Sequence, residues 1–197
     1  MSASSNETDS VWPAILTWRG YDVPRMESTR VHLSGNRIKA YGRIVAGATE
    51  VHPAFSASYD LVTDDAGATK RLSLTLTLAE RDRQLSIARD EENMWSVSGH
   101  QGQSARAAFS GALDVDVVFS PFFNALPIRR TGIYKKHDSV SVPVVYVMLP
   151  EFSVNPATIT YTSGSDGMKL HSPVADTTVT VDDDGFILDY PGLAERI

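Results

Sequence analysis

Apolar and polar residues alternate with period two along most of this chain, and that pattern excludes most folds other than a β-sheet. It is clearest from Arg71 to Glu80, where Leu72, Leu74, Leu76 and Leu78 fall on one face and Ser73, Thr75 and Thr77 on the other. The same reading applies to Ile38-Ala40-Gly42-Ile44, to Phe55-Ala57-Tyr59-Leu61, to Leu85 and Ile87, and to Leu113-Val115-Val117-Phe119. Ile159 with Tyr161, Val179 with Val181, and Phe186 with Leu188 and Tyr190 complete the series. Val140 to Leu149 is apolar on both faces apart from Ser141, which predicts a central strand covered on both sides or one facing an apolar cavity. Turn signals separate the strands: Ser34-Gly35-Asn36, Asp64-Asp65-Ala66-Gly67, Ser163 to Gly167 and Asp183-Asp184-Gly185. Met26 to Leu33 and Gly102 to Phe109 come nearest to helical periodicity, and both are short.

The expected fold is therefore all-β: a single curled, mainly antiparallel sheet with at most short helices. A meander in a chain of 197 residues has to curl, as a barrel, half-barrel or roll, to avoid a long exposed edge. Residues 1–10 are polar and acidic and are expected to form a disordered leader; residues 11–197 are expected to form one domain.

Composition narrows function by exclusion. The net charge of −6 and the absence of any Lys/Arg run longer than two argue against nucleic acid. No cysteine is present, so thiolate chemistry and Cys-based metal sites are excluded. His32, His52, His100, His137 and His171 show no metal-ligand spacing, and no Gly-x-Ser-x-Gly, Walker or dinucleotide glycine pattern occurs. Asp182-Asp183-Asp184-Gly185 lacks the alternate-residue spacing of a calcium loop and predicts a hairpin turn. No cofactor is expected. With no secretory signal and no stretch of about 20 apolar residues, a soluble cytoplasmic protein is expected.

Chemistry concentrates between Asp114 and Arg130. Asp114 and Asp116, two apart on a strand, share the face opposite Val115 and Val117. They could act as acid and base on a glycan. Carboxylates on one strand face suit pairing better, with Arg129 and Arg130 as partners across a returning strand, or a position at a cavity mouth. Pro121 and Pro127 bracket a segment that reads as a stiff turn, and Asn124 within it could orient a hydroxylated ligand or satisfy turn backbone. Trp12, Trp18, Trp95, Phe109, Phe119, Phe122 and Phe123 suit either a lipid cavity or plain core.

The run Asp114-Val115-Asp116, Ser120-Pro121-Phe122, Asn124 and Leu126-Pro127-Ile128-Arg129-Arg130 resembles the signature of the family named putative glycolipid-binding. Trp18, Tyr146-Val147 with Pro150, and Val181-Asp182, Gly185, Asp189-Tyr190-Pro191-Gly192-Leu193 and Arg196 match in order, so the resemblance spans about Trp18 to Arg196. It implies a spiral β-roll and, by likeness of shape to bacterial lipid carriers, a non-enzymatic role in binding a glycolipid or other amphiphile. By position it marks Asp114, Asp116, Asn124, Arg129, Arg130 and Tyr190 as residues around a ligand. Phe123, Ala125, Thr131 and Ile159 depart from the family pattern, which predicts a more apolar site. Three functions follow as expectations: an amphiphile-binding protein, an enzyme using Asp114 and Asp116, or a ligand-free structural protein.

Overall fold

The structure, a computed structural model, describes residues 12–99 and 104–197; the expected leader and His100 lie outside them. The N-terminal strands are β1 (Ala14–Gly20), β2 (Arg25–Ser34), β3 (Arg37–Ala46), β4 (Phe55–Thr63), β5 (Thr69–Thr77), β6 (Asp82–Arg89), β7 (Trp95–Gly99) and β8 (Ser104–Ala107). A short strand β9 (Asp114–Val117) and a helix α1 (Pro121–Thr131) follow. The chain then forms β10 (Ser139–Val147), β11 (Val154–Gly164), β12 (Gly167–His171), β13 (Asp176–Val181), β14 (Ile187–Tyr190) and β15 (Ala194–Arg196).

All fifteen strands belong to one sheet in the order β8 to β1, then β15 to β9. Every neighbouring pair is antiparallel except β9 with β10. Alternation drives this directly: in β4 and β5, Phe55, Ala57, Tyr59, Leu61, Leu72, Leu74 and Leu76 are buried on one face.

The sheet does not close. It winds into a spiral whose ends overlap. β9 tucks against β5, where the Thr69 N–H donates to the Leu113 carbonyl at 2.9 Å and the Val115 N–H reaches Thr69 Oγ1 at 3.4 Å. The Trp95 indole of β7 donates to the Ala112 carbonyl at 2.9 Å, and Arg83 of β6 donates to the Glu151 carbonyl at 2.9 Å. β10, which holds most of the apolar run at Val140–Leu149, is the penultimate strand rather than a central one; Val144 to Val147 are all buried, and Tyr146 and Met148 face a largely apolar cavity.

Met26 to Leu33, too short in its periodicity for a helix, lies within β2, where Glu27, Thr29 and Val31 point inward and Met26, Ser28 and Arg30 outward. Polar residues on the inner face disguised the alternation. The segment from Pro121 to Arg130 is neither a stiff turn nor a strand but helix α1, which fills the concave side of the roll. Pro121 stands in its first turn, where the missing N–H costs nothing, and Gly132 closes it in the left-handed conformation at φ 65°. Residues Pro121 to Ile128 are all buried, so no amphipathic stripe exists to be read. Phe122 and Phe123 pack on Tyr59 with ring centroids 5.8 and 5.0 Å away, and Phe122 stacks on Phe186. The concave face around Tyr59 and Phe186 is thus occupied by the chain's own helix.

One close approach depends on a glycine. A methyl group at Gly42 would run into the Tyr59 ring and hydroxyl and sit 2.7 Å from Thr29 Oγ1. Gly42→Ala is expected to cost about 1–3 kcal/mol, read as a lower urea midpoint with unchanged m-value.

Candidate functional site

The turn from β9 into α1 builds the site. Phe119 between them takes φ 73°, a conformation that bulky residues avoid. Its ring is held by His52 and Phe55 at 5.5 and 6.3 Å and by the Arg25 guanidinium 4.5 Å from its centroid. Ser120 occupies the helix N-cap but does not cap it. Its hydroxyl donates instead to Glu27 Oε1 at 2.6 Å, and the Tyr59 hydroxyl donates to the same oxygen at 2.6 Å. Glu27 Oε2 receives the Phe122 N–H at 3.4 Å, so an inward carboxylate from β2 takes over the capping role. Burial pushes the Glu27 carboxyl up to about 7, against the pull of these hydrogen bonds.

Beside this network lies a cavity of about 580 Å³ at one end of the roll. Its polar lining includes Arg25, Asp116, Ser120, Asn124, Tyr146 and Tyr190; its walls are mostly apolar, with Val23, Val118, Phe119, Met148, Val174 and Leu193 among them. The volume falls within the ~300–1,000 Å³ of small-molecule sites. Asp116 is only 7% exposed, and its Oδ1 is buried without a hydrogen-bond partner. Burial first, with Glu27 and Asp114 nearby, lifts its carboxyl to about 7. Burial and the neighbouring Asp116 also push the Tyr146 and Tyr190 hydroxyls upward, so both remain neutral donors.

The six residues marked by sequence separate into two groups. Asp116, Asn124 and Tyr190 line the cavity; Asp114, Arg129 and Arg130 do not. Asn124 accepts from the Tyr161 hydroxyl at 3.0 Å and donates to the Ser120 carbonyl at 3.5 Å. Asp114 is 0% exposed and takes a forked contact from Arg130, with Nε at 3.0 Å and Nη2 at 2.6 Å from Oδ2. Burial raises the Asp114 carboxyl and the guanidinium pulls it back. Arg129 lies over the Phe186 ring at 5.1 Å and donates to the Asp184 carbonyl. Both arginines come from the last turn of α1, not from a returning strand. Asp114 and Asp116 share one strand face, but the arginine closes Asp114 off from the cavity.

Sequence reasoning did not single out Arg25, Glu27, Ser120 or Tyr146 as site residues. Tyr146 carried a usable signal, as the one hydroxyl deep in an apolar strand; Glu27 would have required the register of β2. The departures from the family pattern fill core instead of cavity: Phe123, Ala125 and Ile159 are fully buried and line no part of it. Thr131 turns its hydroxyl back to the Pro127 carbonyl at 2.7 Å. Among the described residues no group of His, Cys, Asp and Glu is arranged to hold a metal ion, and no helix is long and apolar enough to cross a membrane.

Comparison with known proteins gives a consistent picture. The crystal structure of a DUF1089 family protein from Pseudomonas aeruginosa superposes with a TM-score of 0.70 over 91% of this chain and 95% of that one, at 22% identity. A likeness at that identity shows the shared fold. No curated protein matches the chain. The family model described as "Putative glycolipid-binding" matches residues 15–196, nearly the whole sheet together with α1 and the cavity, and the chain belongs to that family.

Proposed function

We propose that this protein binds a glycolipid or a similar amphiphile at the cavity beside Asp116 and does no chemistry on it. The unpartnered Asp116 Oδ1 carries this reading. A buried polar atom without a partner costs about 1–3 kcal/mol, and a ligand hydroxyl entering the cavity would remove that cost. The Tyr146 and Tyr190 hydroxyls and the Asn124 amide stand around it as further donors and acceptors for a hydroxylated head group. Apolar walls take the chain, each buried CH₂ adding about 0.8 kcal/mol. The family's name agrees with this reading.

Lipid extracted from purified protein is expected to show a co-purified amphiphile by mass spectrometry. Asp116→Asn is expected to weaken its retention about tenfold, the loss of one strong buried hydrogen bond. Protein free of lipid whose melting temperature ignores a broad glycolipid panel would overturn the reading.

A further inference from the structure

The two ends of the roll differ in chemistry. Away from the cavity the strands are joined by acidic turns: Asp64-Asp65, Asp90-Glu91-Glu92 and Asp182-Asp183-Asp184. At the cavity end the connections include Tyr21-Asp22-Val23-Pro24, Ser172-Pro173-Val174-Ala175, Pro191-Gly192-Leu193 and the longer β3–β4 loop carrying Val51, together with the charged turn Leu78-Ala79-Glu80-Arg81 and the β10–β11 connection carrying Glu151. Val51 is 84% exposed and Val174 57% exposed. Tyr21 is exposed in the β1–β2 connection, where its hydroxyl donates to the Asp189 carboxylate, and Met26 and Val45, exposed partners across β2 and β3, carry the apolar surface onto the outer face. None of the acidic turns bears an exposed large apolar side chain among the described residues. Val174 both lines the cavity and projects from its rim, so the exposed apolar surface runs continuously into the binding space.

We infer that this rim docks on the surface of a lipid bilayer with net-neutral head groups, letting an amphiphile pass into the cavity without crossing water. The inference rests on the amphiphile reading of the cavity. Separate apolar prongs around an open mouth suit shallow insertion between lipids better than a flat protein interface. Asp22, Glu50 and Asp176 at the rim, in a chain of net charge −6, give it no attraction for an anionic membrane.

The test is flotation with phosphatidylcholine vesicles. The wild type is expected to float, and V51D, at an exposed valine that lines no part of the cavity, is expected to bind about tenfold more weakly, since its apolar contact is lost. Its melting temperature should be unchanged. Thermal shift by monomeric octyl glucoside reports the cavity separately and should be equal in both proteins. A wild type that stays soluble, or a variant that floats as well, overturns docking. So does binding that strengthens sharply with phosphatidylglycerol, which would place the contact on the basic outer face of Arg30, Lys39 and Arg43. A persisting flotation difference with no octyl glucoside shift in either protein would support docking and sink the cavity reading.

Discussion

Arg130→Met is expected to destabilise the protein by about 3–5 kcal/mol, the usual cost of leaving a buried charge without its partner. Asp114 has no exposure and takes three charge-assisted contacts from Arg130, two on Oδ2 and one, at 3.2 Å, on Oδ1. With the guanidinium gone, the carboxyl must either stay ionised in an apolar setting or take up a proton. The loss should therefore shrink as pH falls, because protonation of Asp114 becomes cheaper. Arg130→Met combined with Asp114→Leu should recover most of the stability, since well-packed apolar pairs replace buried ion pairs at little cost. Urea melts of the single and double variants at pH 5 and pH 8 measure this. A single variant within about 0.5 kcal/mol of wild type would mean that the pair holds nothing together.

The second large effect concerns pH. Glu27 and Asp116 are both lifted by burial to about 7, from free values of 4.5 and 3.8. Between those limits the folded protein holds protons that the unfolded chain has released, so stability falls as pH rises. Their favourable contribution is complete below the free carboxyl range and is lost as pH climbs through about 7. Each tenfold weakening of a carboxylic acid on folding corresponds to about 1.4 kcal/mol, so the wild type should be several kcal/mol more stable at pH 5 than at pH 8. Asp114, also raised, adds in the same direction. Glu27→Gln should flatten the profile by removing one of the two titrations. A flat or rising wild-type profile over this range would show that neither carboxyl is held in its acid form.

What could be read from the sequence followed the chemistry of each element. β5 was legible because leucines alternate with hydroxyl residues, a pattern that only a half-buried strand produces. β2 was not, because Glu27 and Thr29 occupy its inner face, where a shared hydrogen-bond network compensates their burial. α1 was hidden for the opposite reason: a helix enclosed on nearly all sides has no polar face, and its two prolines imitate a turn. Asp116 stood out as a carboxylate in apolar company. That its strand neighbour Asp114 is sealed by Arg130 while Asp116 opens on the cavity depends on tertiary packing, which spacing does not encode.

The strand order also bears on how the chain reaches this shape. Apart from the parallel β9–β10 pair, which α1 connects, each half of the sheet is a stack of hairpins between sequence neighbours, which can zip locally and fast. A single pairing, β1 with β15, with Trp18 opposite Arg196, joins the halves across most of the chain's length. That seam carries nearly the whole loop-closure entropy of the sheet. It is therefore the natural late event in folding and the first place where a strained roll would come apart.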